Sequence, residues 1–159
     1  MRALLISIVA CLLLFLNSCA RTQGDRDSIT PSADEAQAIL DVITKLEEAA
    51  NEADPTKAES VLLLEDTRFS EIEDFVPAPF GAEGVREIHD WIRKNGRPGD
   101  NVRFTDIKVY FLASDVAYAT AIQELNFDTP GKSRVTFVFL KQNSDWGIIH
   151  AHYSTMPSG

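Results

Sequence analysis

From Val102 onward the apolar residues stop recurring every three or four positions and begin to alternate, and this change of period does most to limit what the chain can fold into. Val102–Leu112 reads as a strand whose apolar face switches near Thr105-Asp106, from Val102 and Phe104 to Ile107, Val109 and Phe111. A β-bulge there would produce that switch. Ser114-Asp115 is a tight turn before a second strand, Val116–Phe127. Thr129-Pro130-Gly131-Lys132 turns into a third, Ser133–Lys141, and Gln142-Asn143-Ser144-Asp145 into a fourth, Trp146–Ser154. Consecutive strands joined by such short turns pair as an antiparallel meander.

The segment before Val102 has the helical period. Ser32-Ala33-Asp34-Glu35 has the form of a capping box. Ala36, Ile39, Ile43, Leu46, Ala50 and Ala53 then form one apolar stripe on a helix of about five turns. Asp54-Pro55 ends it and starts a short second helix, with Asp54 as cap and Pro55 in the first position. Val61–Phe69 is a dense apolar run whose helix-to-strand boundary the pattern does not place. Pro77 and Pro79 mark a loop, and Gly84–Asn95 predicts a third helix with Val85, Ile88, Trp91 and Ile92 inward and Gly96 as its stop. Three helices followed by about four main strands define an α+β domain whose helices cover one face of an antiparallel sheet.

The first residues carry a different signal. Met1-Arg2 supplies a positive charge, Ala3–Leu16 is almost wholly apolar, and Leu16-Asn17-Ser18-Cys19 follows at once. The run is shorter than the ~20 residues of a membrane-spanning helix and fits the apolar region of a signal peptide. Leu-x-Ser-Cys closing such a region resembles the lipobox of bacterial lipoproteins. That resemblance implies cleavage before Cys19 and a thiol carrying acyl chains such as palmitate. It further implies a tether facing the periplasm or cell exterior, and Ala20 after the cysteine points to the outer membrane. The expected organisation is a signal peptide over 1–18, a lipidated tether over 19–31 and a folded domain over 32–159. Cys11 leaves with the leader and Cys19 is acylated, so the mature domain has no free thiol, disulfide or cysteine metal ligand. With 24 acidic against 15 basic residues and a net charge of −9, the chain repels phosphate backbones, and nucleic acid is not an expected partner.

The last two strands carry a second resemblance. Gly131-Lys132-Ser133-Arg134-Val135-Thr136, then Lys141-Gln142-Asn143-Ser144-Asp145, lead to Trp146-Gly147-Ile148-Ile149-His150-Ala151-His152-Tyr153-Ser154 and Pro157. This ending resembles that of SnoaL-like domains and of the association domain of calcium/calmodulin-dependent kinase II, both in the nuclear transport factor 2-like superfamily. Asp115-Val116-Ala117-Tyr118-Ala119 and Gly84-Val85-Arg86-Glu87-Ile88 are similar too. The resemblance implies a cystatin-like fold, a curved sheet wrapped around helices to leave a conical pocket, with homodimerisation through the outer sheet face. Arg134 matches a pocket-lining arginine of the kinase domain, while Thr120 and Tyr153 stand where its partner arginines would be.

Candidate pocket residues are accordingly Trp91, Tyr110, Tyr118, Arg134 and Tyr153. His150 and His152 alternate with Ala151 and so share one face, on which the alternation also places Trp146, Ile148 and Ser154. Trp146, His150, His152 and Ser154 are expected at a dimer interface or in a polar network. Whether that face or the Ile149-Ala151-Tyr153 face looks into the cone is open at this stage. His150 and His152 lack a third ligand at recognisable spacing, so no metal is expected, and no cofactor. Asp66, Asp106 and Asp128 are possible general bases, with Tyr110 or Tyr118 as donor, but no spacing selects one. Glu47-Glu48 reads as solvated surface. The expected function is a membrane-anchored module that binds a small apolar or weakly acidic ligand, dimerises, or both. The alternative is an isomerase, dehydratase or hydrolase using a pocket Asp or His as base.

Overall fold

The computed structural model describes residues 32–74, 78–126 and 130–157. The leader, Cys19 and the tether lie outside the described residues, as do Pro77, Phe127, Asp128 and Thr129.

Helix α1, Ala33–Glu52, begins at Ser32, whose hydroxyl accepts from the Glu35 amide at 3.1 Å. The reciprocal half of the capping box is absent. The Glu35 carboxylate instead reaches the sheet, accepting from Lys141 Nζ and Trp146 Nε1, each at 2.7 Å. The buried stripe of α1 is Ile39, Val42, Ile43 and Ala49, and Ala50 is exposed. Helix α2, Pro55–Glu59, starts as its sequence predicts: Asp54 accepts from the Thr56 and Lys57 amides, with Pro55 in the first turn.

Helix α3, Ala82–Asn95, buries Val85 and His89, while Ile88 and Trp91 are exposed, Trp91 at 63%. At 3.6 residues per turn, Val85, His89 and Ile92 fall within about 60° of one another, whereas Trp91 lies about 120° away. An inward histidine is tolerated because it has a partner on α2, described below, and this turns Trp91 outward.

Between α2 and α3 the dense apolar run forms no helix. Leu62 makes a parallel bridge to Ile148, and strand β1, Ser70–Ile72, follows. The remaining strands are β2 (Val102–Ala113), β3 (Val116–Leu125), β4 (Gly131–Gln142) and β5 (Asp145–Thr155). Their order is β1-β5-β4-β3-β2, an antiparallel meander extended by β1, which pairs parallel to β5. The sheet is curved and unclosed, with the helices against its concave face.

Two bulges decide which side chains face inward. The expected one in β2 lies between Thr105 and Lys108, with Asp106 at φ 52°. The second is in β5: Phe139 pairs with Ile148 and Val138 with His150, leaving Ile149 as the extra residue. One extra residue reverses the parity of everything beyond it. Trp146 and Ile148 therefore join Ala151 and Tyr153 on the concave side, and His150, His152 and Ser154 face out. Simple alternation had grouped Trp146 with the histidines.

The half of the cone near Trp146 is solid. Phe137, Phe139 and Ile148 are fully buried, and Phe111 meets Trp146 edge-on at 5.7 Å. Alanines 117, 119 and 121 leave the space on β3 that these rings occupy. At the other end Asn51 ties α1 to the sheet. Its amide donates to the Val102 carbonyl and accepts from the Asn101 and Val102 amides, all at 2.8 Å. Glu47 accepts from the Phe104 amide at 2.5 Å, so it caps a strand rather than facing solvent alone.

Candidate functional site

Where Phe104 and Tyr153 replace the larger aromatic cluster, the cone is not filled. A cavity of about 280 Å³, open on one side, lies between the ends of α1, α2 and α3 and the sheet. Leu46, Ala49, Ala53, Ala58, Ile92, Val102 and Phe104 make most of its wall apolar. Small residues on α1 and α2 keep the helices from filling it. Gly96 allows the close approach that shuts one side, since a Cβ there would stand 2.7 Å from the Ile92 carbonyl and 3.0 Å from Ala53 Cβ. Polar groups in the lining are few: His89, Gln123, Tyr153, Asn101, Asp54, whose carboxylate accepts from the Thr56 and Lys57 amides, and, with Trp91, the exposed Arg97. An apolar cleft with a few placed polar groups is the usual form of a small-molecule site.

His89 is only 8% exposed. Its Nδ1 lies 3.0 Å from Glu59 Oε1, and Arg93 donates to the same oxygen at 2.7 Å. Burial alone would raise the Glu59 carboxyl, but the hydrogen bonds from His89 and Arg93 outweigh it and hold the group below its ordinary value. A carboxylate can only accept, so Nδ1 carries a hydrogen, and in the neutral ring Nε2 is left with a lone pair. Among the described residues Nε2 has no hydrogen-bond partner, and because no sealed side-chain nitrogen lacks one, Nε2 is accessible; His89 is part of the cavity lining.

A second titratable cluster adjoins Tyr153. On β1, Ser70 faces outward to His150 Nδ1 at 2.8 Å, so Glu71 faces inward. Burial raises the Glu71 carboxyl to about 7. Burial, then the charges of Glu71 and Asp74, raise Glu73 to about 8, with the two glutamates in hydrogen-bond contact. Burial, then the charges of Glu71 and Glu73, also raise the Tyr153 phenol well above its usual value. Tyr153 packs edge-on against Phe137 at 6.0 Å. One residue thus borders both the cavity and a carboxyl pair that holds protons near neutrality.

Of the five residues expected to wall a pocket, Tyr153 and Trp91 line this cavity. Tyr110, Tyr118 and Arg134 stand on the convex face, because Val109, Ala119 and Val135 beside them take the concave positions. Tyr110 and Tyr118 stack there at 4.7 Å and 12°. Arg134, Lys108, Thr120 and Thr136 border a shallow depression with Asp106. His150, His152 and Ser154 share this face, and Ser154 Oγ lies 3.1 Å from His152 Nε2. Burial holds the His150 ring below its ordinary value, opposed by its bond to Ser70. Among the described residues no group of three possible metal ligands assembles.

Of the possible aspartate bases, Asp66 and Asp106 lie elsewhere, and Asp128 is outside the described residues. Asp66 is ion-paired with Arg68 at 2.7 Å, which holds it well below the carboxylate range. Asp106 is exposed at the convex bulge. Sequence reasoning missed His89, Glu59, Glu71 and Glu73. The one available signal was a histidine four residues after Val85 on the core stripe of α3.

A concave sheet, three helices and a cavity at the open end define a cone-shaped α+β domain of the cystatin-like class. Among curated proteins, none matches this chain in sequence. A family model described as "SnoaL-like domain" matches residues 39–158, and the chain belongs to that family. Among solved structures it is similar to a nuclear transport factor 2-like protein of unknown function from Shewanella oneidensis MR-1 (16% identity, 75% of this chain and 98% of that chain, TM-score 0.64). It is similar also to the association domain of the C. elegans kinase CaMKII (19% identity, 77% and 96%, TM-score 0.62). A third is a Nostoc punctiforme PCC 73102 protein with a cystatin-like fold (15% identity, 80% and 95%, TM-score 0.63). These likenesses establish the fold.

Proposed function

We propose that the chain is a lipid-anchored module that binds a small apolar or weakly acidic ligand in its cavity and dimerises through the convex face of its sheet. The cavity of about 280 Å³ is the observation that carries the ligand reading. Its walls are apolar, its polar groups converge from separate elements, and no side chain fills it. A thermal-shift screen of small apolar acids, alcohols and amines tests it, because a ligand bound only by the folded state raises Tm. Indifference to all three classes would remove the reading.

The dimer part is supported by likeness to an association domain and by the exposure of Tyr110 (44%) and Leu112 (62%) on the convex face. Two exposed apolar side chains beside a stacked tyrosine pair suit a self-complementary interface. Light scattering should give twice the monomer mass, and Leu112→Asp should halve it. The anchor rests on the Leu16-Asn17-Ser18-Cys19 segment. Mass spectrometry should find acyl chains on Cys19, and Cys19→Ser should leave the protein outside the membrane fraction.

A second reading, general acid–base catalysis, is favoured by the Glu71–Glu73 pair beside Tyr153. Carboxyls poised near 7 and 8 are matched to proton transfer at neutral pH. A substrate turned over with a rate that Glu71→Gln lowers at least ~100-fold at unchanged KM would establish it.

A further inference from the structure

The proposed ligand class divides into apolar molecules, weak acids and bases, and the groups around the cavity discriminate among them. We propose that His89 is the acceptor for the acidic proton of the ligand. The cavity then selects an apolar carboxylic acid or a comparable weak acid of about nine non-hydrogen atoms. This rests on the reading of the cavity as a ligand site.

Three observations combine. The ring is fixed: Glu59 takes the Nδ1 hydrogen at 3.0 Å and is itself held by Arg93 at 2.7 Å. A carboxylate behind an imidazole sets its tautomer and makes its other nitrogen a better acceptor. Nε2 is thus a directed lone pair in a mostly apolar enclosure, on a residue more than nine-tenths buried, with no hydrogen-bond partner among the described residues. An accessible acceptor with no protein partner, set among apolar walls, favours a ligand that brings a donor. An alcohol brings a weak one. A carboxylic acid enters in its neutral form and transfers its proton from oxygen to Nε2. The product is an imidazolium held between two carboxylates, Glu59 and the ligand, with charge-assisted bonds on both sides.

The mouth supports the same choice. Arg97 lines it and is exposed. Its charge disfavours an ammonium and favours a ligand that ends as a carboxylate, while Asp54, the other charge in the lining, is turned to the Thr56 and Lys57 amides. The volume sets the size, since about 280 Å³ at roughly 30 Å³ per water-sized group admits about nine such groups.

Benzoate, benzyl alcohol and benzylamine are matched probes for calorimetric titration of the full chain. Benzoate should bind at least about ten-fold tighter than benzyl alcohol, from one charge-assisted hydrogen bond, and benzylamine most weakly. His89→Asn keeps a donor for Glu59 but removes Nε2, so it should weaken benzoate at least about ten-fold and the alcohol by much less, removing most of the difference between them. Should that variant unfold, nitrogen-15 NMR of the native protein decides: saturating benzoate should move His89 Nε2 alone to its protonated signature. Equal binding of acid and alcohol, or an unmoved Nε2 signal, overturns the acid selectivity while leaving the cavity a ligand site. Failure of all three probes to bind overturns both readings.

Discussion

Replacing Glu71 by Gln should stabilise the domain above neutral pH and do little near pH 5. Glu71 lies on the short edge strand β1 with its side chain turned into the cone, where burial raises its carboxyl from 4.5 to about 7. The unfolded chain releases that proton near 4.5, while the folded chain keeps it to about 7. Folding therefore binds a proton between those values. The stabilisation is complete below 4.5 and is lost as pH rises through 7. A carboxyl raised that far costs the folded state roughly 3 kcal/mol once ionised, and the partial exposure of an edge strand reduces this to about 1–2 kcal/mol. Glutamine keeps the shape and the neutral charge at every pH. For a domain of this size it should raise Tm by about 3–8 °C at pH 8, with no gain at pH 5. Circular dichroism melts of both proteins from pH 5 to 8.5 measure it, and comparing the two cancels the general repulsion of an acidic chain. Parallel pH profiles would refute the reasoning, because they would mean that Glu71 releases its proton as readily folded as unfolded. A variant less stable at both ends of the range would refute it too, since the carboxylate would then be making native bonds that burial had been taken to oppose.

Asn51→Ala should lower unfolding free energy by about 2–4 kcal/mol in urea titrations, because the side chain satisfies three backbone groups at the α1–β2 junction. Phe137→Ala should cost about 3–5 kcal/mol in the same assay, the ring being fully buried among Phe104, Phe139 and Tyr153. Gly96→Val should lower Tm and weaken any cavity ligand together, since its Cβ meets the Ile92 carbonyl and Ala53 at the cavity wall. Glu59→Leu should reduce benzoate affinity in calorimetry by about ten-fold or more while sparing benzyl alcohol, because Nδ1 loses the acceptor that fixes the ring.

Much of the fold was legible because period and turn chemistry are local. Asp54-Pro55 specified a helix start, the Phe104-to-Ile107 face switch specified a bulge, and Asn143 and Ser144, at φ 50° and 79°, close the turn expected between the last strands. The Ile149 bulge was not legible, since Trp146-Gly147-Ile148-Ile149 is apolar on both parities and only pairing with β4 shows which residue is extra. That single residue decided the site: it sends His150 and His152 outward and keeps Trp146 inward with Glu35. The groups that do converge on the cone come from segments far apart in the chain, Glu59 with His89 and Glu71 with Tyr153. No spacing rule connects such pairs. An amphipathic pattern treats His89 as a defect in a stripe, and the physical reason it can sit there is a carboxylate on another helix. A polar residue on the buried face of a helix, in a chain whose small residues leave space opposite it, therefore points to the cavity more directly than Tyr110, Tyr118 and the H-x-H pair did. In this chain Ala49, Ala53 and Ala58 supply that space, and the absence of bulk there is as much a part of the cavity as the groups that line it.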